Sequence, residues 1–267
     1  MNARADIPPV PSPTLSPAGP QVLPLAATRR RRLAEGTLVP MASGVAGLFF
    51  DTPAGTTGDG GRLGASADGQ RLEPPFVTTR LALHSGGERH LILTGRGGET
   101  LLGRHVVIFQ GETPAAQIDP AWLQSPLGDA TSLIEGLSDE GRRRLLKLFL
   151  TTGPSLFGSR AGTAFGEAAR SLLDLLGVPM MPPAAVCGLG AGAIVTYRLP
   201  ARIEAERIGE IVILDAGRSR RLADCRPVVE LRDPGCLVHV HLPGALPPGA
   251  TLVGLGPAPI RLRLPAA

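Results

Sequence analysis

The sharpest chemistry in this chain is a pair of histidines two residues apart. His239 and His241 lie in the run Cys236–Leu242, where polar and apolar residues alternate. On a strand, a spacing of two points both imidazoles to one face, as a metal site needs. Cys225 and Cys236 are near in sequence, but Cys236 is three residues from His239 and leaves the opposite face. The competing reading is two polar positions on the solvent face of an edge strand, with Val238, Val240 and Leu242 in the core. A metal ion needs three or four converging ligands, and the sequence offers two.

The HxH strand is similar to the metal motif of the cupin family. That motif also uses a glutamate a few residues later, and Leu242 to Leu255 contains no acid. The resemblance stops at the two histidines. No family is assigned on it, and no cofactor is expected.

Arg218, Arg220 and Arg221 form a second candidate. They follow Asp215, which ends the apolar run Ile211–Leu214. Guanidinium groups so close together clamp a phosphate or carboxylate, or else solvate an exposed loop. A strand-terminal aspartate is where phosphotransfer nucleophiles often sit, but those enzymes carry a second aspartate where this chain has Gly217. Asp215-Ala216-Gly217 therefore reads as a hairpin turn. Gly188 to Gly192 superficially resembles a dinucleotide loop, yet strand-like residues follow it instead of a helix, so it reads as a connector. His84, Glu88, Arg89 and His90 surround a Gly-rich turn and can meet across strands. Arg142, Arg143, Arg144 and Lys147 line the wet side of an amphipathic helix, or a face for an acidic partner or membrane surface. No GxSxG, GxxxxGK[ST], HExxH, CxxC or DxD motif occurs.

The elements that must position these residues read as strands on either side of helices. Val45–Phe50, Phe76–His84, Leu91–Leu93 and Thr100–Phe109 are predicted strands, the last three joined by the turns at Ser85–Glu88 and Gly95–Gly98. Thr52 to Gln70 reads as a loop. A helical insert is expected at about 118–177. Asp119-Pro120 opens it, and Ser138 caps a second helix through Leu150 that Gly153-Pro154 stops. Phe165, Ala168, Ala169, Leu172, Leu173 and Leu176 stripe a third, with Gly177 at its end. Ala193–Leu199, Ile208–Leu214, Arg226–Leu231, Leu237–Leu242, Thr251–Leu255 and Ile260–Leu264 are strands again. Strands that cluster before and after helices predict a mainly β (α+β) chain rather than a parallel α/β sheet. The expected core is an antiparallel β-sandwich formed by the two strand groups, spanning 37–267 as one domain.

Residues 1–36 read as a disordered tail. Seven prolines punctuate its first part, and Arg29, Arg30, Arg31 and Arg32 tip it. This arm could dock on a partner with an aromatic groove or acidic surface. It also carries a net +3 of the formal +4, so the 37–267 part is nearly neutral. Nucleic-acid binding by a basic folded face is therefore not expected. With aromatic residues at 3%, neither is a stacking platform. Three cysteines without regular spacing point to a reducing compartment. With no signal peptide and no long apolar span, the reading is cytoplasmic with no membrane span. The function expected first is a non-catalytic interaction or accessory module acting through protein–protein contacts. The alternative is an enzyme, metal-assisted or acting on an anionic substrate.

Overall fold

The structure, a computed structural model, describes residues 33–40, 45–54, 62–73, 76–95, 97–119, 131–158, 162–190, 192–215, 219–221, 225–244 and 250–264. Leu33–Ala267 form one compact unit, mostly strand with a few helices. No helix among the described residues is long and apolar enough to cross a membrane.

The first strand group is β1 (Ala34–Pro40), β2 (Ala46–Thr52), β3 (Leu63–Ala67), β4 (Gln70–Arg71), β5 (Phe76–Ala82), β6 (Glu88–Thr94), β7 (Val106–Gln110) and β8 (Thr113–Ile118). They form one eight-stranded sheet in the order β4-β3-β7-β8-β1-β2-β6-β5. Every pairing is antiparallel except β1 with β8. The sheet curls into a half-barrel. Its inner face is a core of its own, with Leu38, Leu48, Phe50, Ala65, Ile92, Ile108 and Ile118 converging.

Two expectations fail here. The segment 52–70 contains β3, whose Leu63, Ala65 and Ala67 are buried. Its alternation is carried by small residues of weak strand preference, so composition reads it as loop. The strand expected from Thr100 begins only at Val106, because Gly98–Leu101 form a 3-10 turn. In addition, β1 starts at Ala34, ahead of the expected boundary at residue 36. Its first residues pair with Ala116 and Gln117, a long-range contact that no local pattern announces.

The helices are α1 (Thr131–Ile134), α2 (Asp139–Phe157) and α3 (Gly162–Leu175). The expected Asp119-Pro120 opening runs into residues outside those described. Ser138 caps α2 as expected, its Oγ accepting from the Gly141 amide at 3.2 Å. The same Oγ donates to the Ala82 carbonyl at 3.1 Å, so the cap also pins the end of β5. A Cβ at Gly141 would lie 2.3 Å from that carbonyl, which is why glycine stands there.

Contrary to expectation, Gly153-Pro154 does not end α2, which continues to Phe157. A proline inside a helix strips the carbonyl four residues earlier of its amide partner. That carbonyl belongs to Leu150, and the Ser219 hydroxyl donates to it instead. Gly153 lets Phe165 of α3 approach, since a Cβ there would come within 2.6 Å of its ring. The predicted α3 stripe is real: Phe165, Ala169, Leu172 and Leu173 are buried.

The second strand group is β9 (Met180–Met181), β10 (Pro183–Leu189), β11 (Gly192–Leu199), β12 (Ile211–Leu214), β13 (Ser219–Arg221), β14 (Val228–Leu231), β15 (Cys236–Leu242), β16 (Thr251–Gly254) and β17 (Arg261–Arg263), with the single-turn helix α4 (Ala205–Ile208) before β12. They make a four-stranded sheet, β10-β11-β15-β14, and a five-stranded one, β13-β12-β16-β17-β9. The two sheets share a core in which Val195, Tyr197, Val238 and Val240 meet Ile211, Ile213, Leu252 and Leu262.

The sandwich is thus built from the second strand group alone. The first group does not pack on it as the second layer of one sandwich. The helices lie between: Phe149, Phe157, Phe165 and Leu173 share a core with Phe49, Leu81 and Leu91 of the half-barrel and with Val212, Leu214 and Val253 of the five-stranded sheet. Sequence grouping shows which strands are near in chain order, not which face each sheet offers to a helix.

Candidate functional site

The four-stranded sheet carries both histidines of the strongest sequence candidate, and it is built by strict alternation. Along β15, Cys236, Val238, Val240 and Leu242 are buried, while Leu237 and His239 are half-buried and His241 is exposed. His239 and His241 therefore share the outer face, as their spacing required. Register places His239 beside Thr196 of β11 and Val228 of β14, and His241 beside Ile194 of β11.

The His239 Nδ1 lies 2.9 Å from Thr196 Oγ1, and its Nε2 is 3.6 Å from a Glu230 carboxylate oxygen. Glu230 also pairs with Arg232 at 2.5 Å. The imidazole thus belongs to a chain of partners across three strands. Cys236 faces inward and its thiol donates to the Ala201 carbonyl at 3.3 Å. Cys225 is buried too, donating to the His241 carbonyl at 3.1 Å, and burial pushes its thiol pKa up, away from thiolate character. Among the described residues, no group of three or more His, Cys, Asp and Glu side chains is placed to hold a metal ion.

The other predicted groups scatter. Arg220 and Arg221 lie on β13, opposite Ile213 and Val212 of β12. Arg218 lies outside the described residues, as do Arg29, Arg30, Arg31 and Arg32 with the rest of 1–32. Gly188 to Gly192 spans the end of β10 and the start of β11, so the segment is the tip of an antiparallel hairpin, not the strand-to-helix turn of a dinucleotide site. Arg144 and Lys147 are exposed on α2, and Arg143 pairs with Glu140 one turn back at 2.5 Å.

The group near the first hairpin divides between the two faces of β6. Arg89 faces the helices. It holds Asp51 with two bonds of 2.7 Å, donates to the Glu135 carbonyl at 2.6 Å, and covers the Phe49 ring. His90 faces the half-barrel interior, 2% exposed and stacked on Phe50 with ring centroids 4.7 Å apart. Its Nε2 lies 3.0 Å from Thr52 Oγ1, and its Nδ1 is buried without a partner. Both arrangements tie β6 to its neighbours, Arg89 to β2 and the helices and His90 to Phe50 and Thr52.

Two hollows bear on ligand binding. An apolar groove of about 310 Å³ runs along Val39, Leu133, Phe149, Ala168 and Leu172, with Glu167 and Ser171 as its polar margin. A broader depression of about 720 Å³ lies over Arg198, Arg232, Asp233, Cys236 and Leu237, at one end of the four-stranded sheet. Ser171 and Glu167 line the first and Cys236 and Asp233 the second, and the Cys236 thiol is turned to the Ala201 carbonyl.

Sequence reasoning missed the sheet's edges. β10 is exposed along all but its first residue. Val186 and Leu189 on β10 are 49% and 48% exposed, and Val228 and Leu231 on β14 are 64% and 59% exposed. Met180, just before β10, is exposed as well. The signal that could have found them is the absence of charge from Met180 to Leu189, since most exposed edge strands carry one. No family model matches this chain, and a search of curated proteins likewise finds no match.

Proposed function

We propose that the chain is a non-catalytic interaction module that engages another protein through its four-stranded sheet. One observation carries the reading. Among the described residues six large apolar side chains stand exposed, and five of them are Met180, Val186, Leu189, Val228 and Leu231. Four of these lie on the two edge strands of that one sheet, and Met180 lies three residues before β10, on β9 at the edge of the five-stranded sheet. Single apolar residues on a surface need no explanation, but here each of the two unpaired edge strands carries a pair of them, as an edge open to a partner does. Edge strands add unpaired amide and carbonyl groups, which accept a further strand.

The test is site-resolved photo-crosslinking in cells that produce the chain. A photoreactive residue at Val228 or Leu231 is expected to give discrete adducts with another protein. The same residue at Leu102 or Lys147, away from the sheet, is expected to give few. Equal adduct yields at all four positions would overturn the reading.

A further inference from the structure

We infer that β10 pairs antiparallel with β10 of a second copy of this chain, joining two four-stranded sheets into one continuous sheet. The inference deepens the docking reading by naming one partner.

Among the described residues six strands stand at sheet edges: β4, β5, β9, β10, β13 and β14. β4, β5, β13 and β14 carry Arg71, Arg80, Arg220 with Arg221, and Glu230 respectively. β9 is two residues long. β5 is also capped at one end by the start of α2. β10 alone combines length, exposure and freedom from charge. Natural sheets use charge, brevity, cover, proline or a bulge to prevent edge pairing; β10 has a proline and a bulge at its first residues, and Ala185–Leu189 has none of these. Two copies meeting here bring no like charges together, which suits an edge to its own twin.

The register follows from the strand itself. A bulge between Pro183 and Ala185 leaves Ala185–Leu189 as the regular part, and its midpoint is Cys187. A two-fold axis through Cys187 sets Val186 opposite the partner's Gly188 and Ala185 opposite the partner's Leu189. Each pair is large against small. A Cβ built on Gly188 meets nothing within 4 Å, so the space the partner's Val186 needs is open. Five regular residues span about 17 Å, which makes a small interface, and the dimer is expected to dissociate on dilution.

Analytical ultracentrifugation of the full chain over a concentration series tests this. The expected result is a mass rising toward twice that of the monomer. Val186→Lys and Leu189→Lys each abolish the rise, and Val228→Lys on the other edge leaves it intact. Register is read by mild oxidation with copper-phenanthroline in air. Directly opposed strand residues have Cα atoms about 4.5–5.5 Å apart, within disulfide reach. Wild type should therefore cross-link through Cys187 much faster than a Cys187→Ser, Lys147→Cys control.

A monomer at every concentration overturns the inference, as does a dimer that survives Val186→Lys. Growth beyond two copies that Val228→Lys stops would mean β10 meets β14 and also overturns it. None of these outcomes touches the crosslinking at Val228 and Leu231, so the two readings fail separately.

Discussion

His90 shows how one side chain writes a pH dependence into the fold. The Thr52 hydroxyl donates to the Glu88 carbonyl at 3.2 Å, so toward His90 it acts as acceptor. The ring therefore carries its proton on Nε2, and the buried Nδ1 keeps a bare lone pair. Charging the ring would put a second N–H where nothing accepts it. Burial is the main cause that lowers the His90 pKa below its ordinary 6.5, the Arg80 guanidinium adds to it, and Glu88 and Asp51 oppose it. The unfolded chain then binds a proton that the fold refuses. Stability is unaffected above about pH 6.5 and falls as pH drops from there toward the lowered folded value. His90→Phe keeps the stack on Phe50 and removes the titration. The melting temperature of the wild type should fall more steeply between about pH 7 and 5 than that of the variant. Parallel slopes would show that His90 titrates normally.

At the scale of elements, α2 depends on a strand far away in sequence. Ser219→Ala takes the hydroxyl donor from the part-buried Leu150 carbonyl and should cost about 1 kcal/mol in denaturant unfolding. Adding Pro154→Ala restores an amide at the right place, so the double variant should recover much of the loss. If the two changes simply add, Ser219 is not the substitute donor.

The same pair explains what the sequence could tell. The alternation of β15 and the stripe of α3 were legible, because each buries one face and repeats at its element's own period. The passage of α2 through Pro154 was not, because the compensating hydroxyl lies 69 residues away. The outer location of His239 and His241 was legible for the first reason. The exposure of β10 was not, since Ala184 to Leu189 is apolar on both faces and reads equally as connector or core. Which strand stands at an edge is decided by pairing between distant segments, and no local pattern carries it.

For the whole molecule, the question is whether half-barrel and sandwich are separate bodies. Each has a private core, yet the helical layer shares its own core with both. Phe149, Phe157 and Phe165 sit at its centre with ring centroids 5.6–6.0 Å apart. Removing a fully buried ring from such a cluster costs about 3–5 kcal/mol. If the layer couples the two β bodies, Phe157→Ala should lower one cooperative transition and leave it single. Far-ultraviolet dichroism and fluorescence from a tryptophan introduced at Phe50, inside the half-barrel, with Trp122 replaced by Phe, should then shift together. A split into two transitions, one unshifted, would show that one β body stands without the helices. The coupling matters for the four-stranded sheet and its proposed partner. The sheet's own core backs onto the helical layer through β12 and β16, whose opposite face lies on that layer, and Ser219 of β13 and Arg261 of β17 add hydrogen bonds to α2 and α3. A partner strand at its edge therefore stabilises the whole chain only if that contact transmits cooperatively, which the single transition would establish.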